Sequence, residues 1–396
     1  MITKLTFESF KSLEKVEVHL GQINVFVGAN GSGKSNLLEG LGVLSAAAKG
    51  RVDDEALMRR GVRPGVPQLY KSAFPSDRKN SHIFFGATNE KSLYEVSLLN
   101  PLRGPTAPWR FKTELWEVKG HKIVSRAPRS NARYNPEQGL AALEAANYRH
   151  GHQALKLLNT LQEFAIYAPN TPTLRGISPD AQPREPVGLS GGGLPQAVRQ
   201  LMKQRKRGGD QYVVQLRKAI GLIDWARSIG YASSSSVPLS PSAAASQYVV
   251  RFRDRFMEER SNVLTGYDAS EGALYVLFVA ALALCKGSPK LFAIDNVDQT
   301  LNPRLARRLA KTLCDWMLEG KEERQVLMTA HNPAVLDGLP LENDRVRLFT
   351  VGRSNTGRTI VRRVEITQDI LERVNKGWSI SRLWLQGHLG GVPNNV

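Results

Sequence analysis

Apolar and polar residues alternate in "ITKLTFESF" (2–10) and again in "LEKVEVHL" (13–20), the period-two pattern of half-buried strands. "INVFVG" (23–28) is instead an essentially continuous apolar run, as a strand covered on both faces should be. It leads straight into "ANGSGKSNLLEGLGVLSAAAK", glycine-rich at first and then helix-forming. Between 81 and 126 strand patterns return in "HIFFGAT", "LYEVSLL", "RFKTELWEV" and "HKIVSR", separated by turn-forming residues, which predicts an antiparallel meander.

Helical periodicity dominates from 136 to 229, in "EQGLAALEAANYR", "GHQALKLLNTLQEFAIY", "LPQAVRQLMKQRKR" and "YVVQLRKAIGLIDWARSI". The Pro-, Gly- and Arg-rich "APNTPTLRGISPDAQPREPVGLSGGG" interrupts it, and "ASSSSVPLSPSAAAS" (232–246) reads as a flexible loop. Strand and helix patterns then alternate: "QYVVRFRDRF", a long apolar helix, "KLFAID", "PRLARRLAKTLCDWML", "RQVLMTA" and "VRLFTVGR". Such alternation implies a parallel sheet covered by helices. The expected organisation is an α/β core built from the two chain ends: 1–135 with an antiparallel β subdomain, a basic helical insertion at 136–245, and 246–396 completing the core. No internal repeat is visible.

A chain of 396 residues can bury a large core, and its 41% hydrophobic and 23% charged residues are those of a globular protein. Its formal charge of +18 is unusual. A surplus of that size points to nucleic acid as a partner, with a solubilising surface or an acidic protein partner as the plainer alternatives. Its foci are "KQRKR" (Lys203 to Arg207), "RFRDRF" (Arg251 to Phe256), "RLARR" (Arg304 to Arg308) and "VRR" (Val361 to Arg363). Cys285 and Cys314 lie in apolar, helix-like surroundings and are expected to be reduced core residues. The longest apolar run, Ala273 to Cys285, has 13 residues against the roughly 20 that span a bilayer, so it predicts a buried helix and no membrane partner. With a strand pattern at the amino end where a signal peptide would stand, a cytoplasmic location is expected.

The strongest chemical signal is "GANGSGKS", Gly28 to Ser35, which matches the P-loop pattern G-x-x-x-x-G-K-[ST] in a strand–loop–helix frame. Its glycines let the backbone wrap a phosphate, and the amides and helix N-terminus present positive dipoles. ATP is therefore expected against Asn30, Gly31, Ser32, Gly33, Lys34, Ser35 and Asn36, with Lys34 on the β- and γ-phosphates and Ser35 on Mg²⁺. "LFAID" delivers Asp295 to the end of an apolar strand, where it can hold Mg²⁺ through water, or simply cap a helix. "MTAHNP" ends the next strand at His331, a structural histidine or a γ-phosphate contact. "LSGGG" (189–193) resembles an ABC signature in composition. It lies over 100 residues before Asp295, however, and reads as a loop and helix cap. "ASEG" (269–272) heads the apolar helix, with Ser270 25 residues before Asp295, and is the better signature.

The order P-loop, long insertion, "SEG"-headed helix, "FAID", "TLNP", "TAHNP" resembles the ABC-type ATPases of the RecF, SMC and OLD group. The first forty residues and the tail "SISRLWLQGHLGGVP" are similar, more narrowly, to AAA-type ATPase subunits of prokaryotic antiphage defence systems, such as Septu-like or retron-associated ATPases. The resemblance covers about 1–75 and 246–396. It implies heads that dimerise head to tail around ATP, with Ser270 and Gly272 acting in trans. It also implies His331 as γ-phosphate sensor, Asn302 at the D-loop position, and a metal-contacting switch glutamine, for which Gln68 is the nearest candidate beside a plain loop role. The pattern departs at one place. Members usually read Asp-Glu where this chain reads Asp295-Asn296, so hydrolysis is expected to be slow or gated by a partner unless Asp298 replaces the missing carboxylate.

The OLD nucleases follow their ATPase with an acidic metal-dependent domain, whereas 65 residues follow His331 here. The seven histidines show no zinc or HNH spacing. An effector, nuclease or toxin, is thus expected on a separate polypeptide. Three functions remain open: an ATPase controlling that effector on nucleic acid in antiphage defence, a hydrolysis-poor ATP sensor or scaffold that holds it, and a RecF-like DNA repair ATPase.

Overall fold

In the computed structural model, residues 1–75, 81–101, 107–128, 134–147, 152–205, 209–240, 246–320 and 322–389 are described. The alternating amino-terminal stretches form β1 (Lys4–Phe10) and β2 (Leu13–His19), an antiparallel pair. β3 (Ile23–Val27) is buried at every position, and the glycine-rich turn after it opens α1 (Lys34–Ala48). A short α2 (Asp54–Met58), capped by Asp53 through the Ala56 amide, follows. β4 (Ile83–Thr88), β5 (Ser92–Leu99), β6 (Arg110–Val118) and β7 (His121–Arg126) are the expected meander. β4 joins it to β1, giving a six-stranded antiparallel sheet in the order β2-β1-β4-β5-β6-β7.

α3 (Leu140–Asn147) and α4 (His152–Glu163) open the helical stretch. The two-residue β8 (Ile166–Tyr167) then returns the chain to the core, and α5 (Thr171–Arg175), α6 (Leu194–Arg205) and α7 (Gly209–Gly221) follow. β9 (Ala226–Ser233), β10 (Tyr248–Asp254) and β11 (Val263–Thr265) make a small antiparallel sheet. The segment 136–245 therefore does not stand apart from the rest. β8 pairs with a core strand, and β9, taken from the helix-patterned "IDWARSI", pairs with β10. The pairing partner decides here over local periodicity.

The carboxyl half supplies α8 (Glu271–Leu284), β12 (Leu291–Ile294), α9 (Pro303–Glu319), β13 (Gln325–Ala330), β14 (Val346–Arg353) and β15 (Thr359–Arg363). α10 (Gln368–Asn375) and α11 (Ile380–Leu385) end it. The core sheet runs β15-β14-β3-β13-β12-β8, parallel throughout except for the edge strand β15. This is the expected α/β head with an antiparallel subdomain. α1 packs on β1 and β4 of the antiparallel sheet and on β8 and β13 of the parallel one, so its apolar residues are buried all round. α8 is apolar on every face because α5, α6, α7 and α9 surround it. Cys285 and Cys314 are buried free thiols, each pushed up to about 12 by burial. Among the described residues no helix is long and apolar enough to cross a membrane.

Candidate nucleotide site

Parallel register lines up the strand ends that matter. Val27 pairs with Ala330, and Ile294 pairs with Met328 on one side and Tyr167 on the other. The P-loop, His331, Asp295 and the segment after β8 consequently leave the sheet along one edge, where open α/β sheets bind ligands.

Asn30 and Gly31 form the exposed crest of the P-loop. Gly33 closes the turn at φ 109°, and a Cβ there would fall 2.1 Å from Thr359 Oγ1, so this position is limited to glycine twice over. Lys34 is buried and curls into the loop, its Nζ donating to the carbonyls of Gly28 (2.8 Å) and Ala29 (3.0 Å). Burial holds its ammonium below the ordinary pKa despite the charges of Asp295 and Asp298. Ser32 Oγ is buried without a hydrogen-bond partner, an orphan polar atom in the loop's interior. Asn36 reaches away, donating to Ser12 Oγ at 2.7 Å and tying α1 to the β1–β2 turn.

Ser35 Oγ donates to the Asp295 carboxylate at 3.1 and 3.3 Å, although 260 residues separate them. Thr329, on β13, fixes that acid. Its hydroxyl donates to Asp295 Oδ1 at 2.5 Å and accepts the Asn296 amide at 2.8 Å. Asn296 has φ 56°, a left-handed conformation that asparagine tolerates better than most residues, and Tyr275 donates to its carbonyl at 3.2 Å. Asp298 is buried three residues beyond Asp295. Its Oδ2 accepts the amides of His331 (2.9 Å) and Asn332, while Oδ1 is buried without a partner. The carboxylate thereby shapes the turn that presents His331 at the exposed rim. Partial desolvation and Lys34 lower the His331 pKa against the pull of Asp298 and Asp295, which favours the neutral ring.

A hydroxyl and a carboxylate side by side are hard oxygen donors of the kind Mg²⁺ takes together with phosphate oxygens. Among the described residues no group of three or more His, Cys, Asp or Glu could hold a metal alone. The residues present fit a P-loop magnesium, completed by the nucleotide, and not an all-protein metal cage.

Residues 1–89 match a family model described as "AAA ATPase domain", and residues 233–337 match one described as "AAA domain, putative AbiEii toxin, Type IV TA system". The DNA replication and repair protein RecF of Leifsonia xyli subsp. xyli is 43% identical over 67 residues, 16% of this chain and 17% of that protein. The DNA double-strand break repair Rad50 ATPase of Saccharolobus solfataricus is 38% identical over 72 residues, 18% of this chain and 8% of that protein. The chain thus spans less than a fifth of the length of these curated relatives. In fold it is similar to an SMC head solved bound to the C-winged helix domain of ScpA, with a TM-score of 0.55 and 12% identity over 94% of this chain and 99% of that one. Together these matches support an ABC-type P-loop ATPase head of the RecF and SMC type.

In this fold Ser270 is the N-cap of α8, exposed, and its hydroxyl makes no capping hydrogen bond with its own helix. A Cβ at Gly272 would lie 3.2 Å from Leu305 Cδ2, so the first turn of α8 presses closely on α9. Asn302 caps α9, accepting the Leu305 amide at 2.9 Å. "LSGGG" is a loop, as expected: Asp180 Oδ2 accepts the amides of Ser190 and Gly192 at 2.9 Å each. The same loop accepts the Ala168 and Asn170 amides. Gln68 lies in a 3-10 turn (Pro67–Tyr70) that lines, with Lys11, Ser12, Asn36, Arg63 and Arg353, a cleft of about 530 Å³. The end of β8 is set beside Asp295, whose amide donates to the Tyr167 carbonyl at 2.9 Å.

Sequence reasoning passed over Thr329, Arg353 and Thr359. Thr329 left a trace as the one hydroxyl in an apolar strand. Arg353 Nε donates to the Gly31 carbonyl and Thr359 Oγ1 to the Ser32 carbonyl, both at 2.8 Å, from a hairpin over 320 residues away that no local signal connects to the P-loop. The basic foci sit on α6, β10, α9 and β15. Lys206 and Arg207 of "KQRKR" lie outside the described residues. Arg304, Arg307 and Lys311 are exposed on α9, whereas Arg308 pairs with Asp224 at 2.9 Å.

Proposed function

We propose that the chain binds ATP with Mg²⁺ at the P-loop and dimerises head to tail around it. In that state it controls a separate effector, a nuclease or toxin, on nucleic acid, with an antiphage defence role as the context its sequence resembles. Lys34 is the cation for the β- and γ-phosphates, Ser35 and Asp295 are the ligands for the metal, and the exposed Ser270 hydroxyl is the cap for a second copy's nucleotide. Bound magnesium would neutralise developing phosphate charge. The observation that carries the reading is the contact between Ser35 and Asp295, with a neutral amide at the next position.

A carboxylate can accept a hydrogen bond from the attacking water and align it; the Asn296 amide does so poorly. Asp298 spends one oxygen on the His331 turn, which supports a positioning role for it. Tight binding with slow, partner-gated turnover follows, and the sensor or scaffold reading is the limiting case in which turnover is negligible. RecF-like DNA repair is compatible with the same head.

ATP affinity and turnover measured together test this. Wild type should bind ATP–Mg²⁺ with turnover far below the ~10 s⁻¹ typical of enzymes. Asn296→Glu should raise turnover by about tenfold or more, even though a left-handed glutamate costs roughly 1–2 kcal/mol. Wild-type turnover of tens per second without a partner would sink the gated reading. An unchanged rate in Asn296→Glu, together with loss of turnover in Asp298→Ala, would move the catalytic carboxylate to Asp298.

A further inference from the structure

A cavity of about 570 Å³ opens where α6 and α7 meet the last turns of α8 and α9. Leu284, Trp316 and Met317 make it apolar, Tyr212 adds a second aromatic ring, and Lys203 and Lys286 are exposed at its lining. Two donors in its wall have no partner: Gln215 Nε2 and Arg324 Nε, on residues only 6% exposed. Their neighbouring groups are already committed. Arg324 gives Nη1 to the Ala283 carbonyl and Nη2 to the Cys285 carbonyl, both at 2.7 Å, Nη2 also pairs with the carboxylate of Glu322 in the lining at 2.6 Å, and the Trp316 indole donates to the Gln215 backbone carbonyl at 3.2 Å. Buried donors left unpaired are unfavourable, and an acceptor carried in by a ligand relieves that cost.

We propose that this cavity is a binding site for a small aromatic anion. Its ring would lie against the apolar and aromatic wall, a carbonyl or acid oxygen would accept from Gln215 and Arg324, and its charge would face Lys203 and Lys286. The volume is that of an ordinary small-molecule site. Three elements reach this cavity with one end and the nucleotide edge with the other. α8 runs from its cap Ser270 to Leu284, α9 begins after Asn302 and carries Trp316, and β13 (Gln325–Ala330) lies between Arg324 and His331. A ligand here touches the far ends of those elements, ~20 Å from the nucleotide edge at helical rise. Where those elements shift between nucleotide states, bound ligand and bound ATP alter each other's affinity by the same factor. This coupling, but not the site itself, rests on the nucleotide-switch reading.

The probe is 8-anilinonaphthalene-1-sulfonate, a fluorescent aromatic anion, titrated into the full chain with and without saturating ATP–Mg²⁺, with thermal melting to confirm folding. One saturable site that persists in ATP, and weakens about fivefold or more in Lys203→Glu/Lys286→Glu and in Gln215→Leu, supports the proposal. Displacement of the probe one-for-one by ATP overturns it, as does unchanged affinity in both variants. An ATP affinity that does not respond to the bound probe removes the coupling alone. Absence of ATP binding would defeat the switch reading and leave the cavity standing.

Discussion

Glu39 carries a charge into the wall beside the P-loop: its side chain is 2% exposed, held at 2.5 Å by both Lys11 and Arg63. Burial alone would raise its pKa, but Arg63 and Lys11 outweigh burial and hold the carboxyl below its ordinary value. A depressed folded value means stability that is present above the unfolded pKa, near 4.5, and lost as pH falls through the folded one. Glu39→Gln should therefore cost about 1–3 kcal/mol at pH 7. The gap to wild type should close as melting is followed below about pH 4.5, and a gap constant down to pH 3 would contradict this. At the same scale Asn296 shows what a sequence can and cannot disclose. An amide where the ATPases this chain resembles usually read Glu is visible at once in "LFAIDNV", whereas the left-handed backbone that suits asparagine is visible only in the fold.

Among elements, the hairpin of β14 and β15 decides the shape of the P-loop although neither strand belongs to the motif. Arg353 holds the Gly31 carbonyl and Thr359 the Ser32 carbonyl, while Thr359 Oγ1 also meets Ser12 Oγ at 2.6 Å. The loop is thus pinned from the side opposite Asp295. Arg353 is exposed and lines the neighbouring cleft, so its loss costs the loop a tie and the cleft a cation with little effect on the core. Arg353→Ala should weaken ATP binding about fivefold while leaving the melting temperature within about 2 °C, since an exposed charge-assisted hydrogen bond contributes ~1 kcal/mol. Unchanged affinity by calorimetry would deny the hairpin this role. The long strands and helices were legible because each covers several periods of its pattern. β8 was not: two residues carry no period, and only the hydrogen bonds of Ala293 and Asp295 to the Ala165 and Tyr167 carbonyls make them a core strand.

For the whole molecule the arrangement of the sheet edge raises the question of what faces it. The P-loop, Asp295 and His331 are gathered by parallel register, and Ser270 stands exposed at the head of α8 with its hydroxyl unused by its own helix. In a symmetric head-to-tail pair each nucleotide would lie between one copy's Lys34 and the other copy's Ser270, so every site is composite. Two variants, Lys34→Ala and Ser270→Arg, would each spoil both sites of a homodimer, one by removing the phosphate cation and the other by placing a bulky charge on the facing surface. Mixing them gives heterodimers in which one site has both defects and the other has none. With random pairing half the dimers are mixed and half their sites intact, so nucleotide retained on the dimer should recover to roughly a quarter of the wild-type level. Light scattering with retained ATP counted per chain reads this directly, after melting has shown that both variants fold. If mixing recovers nothing, Ser270 does not serve a second copy's nucleotide, and the exposed head of α8 must be assigned to another partner.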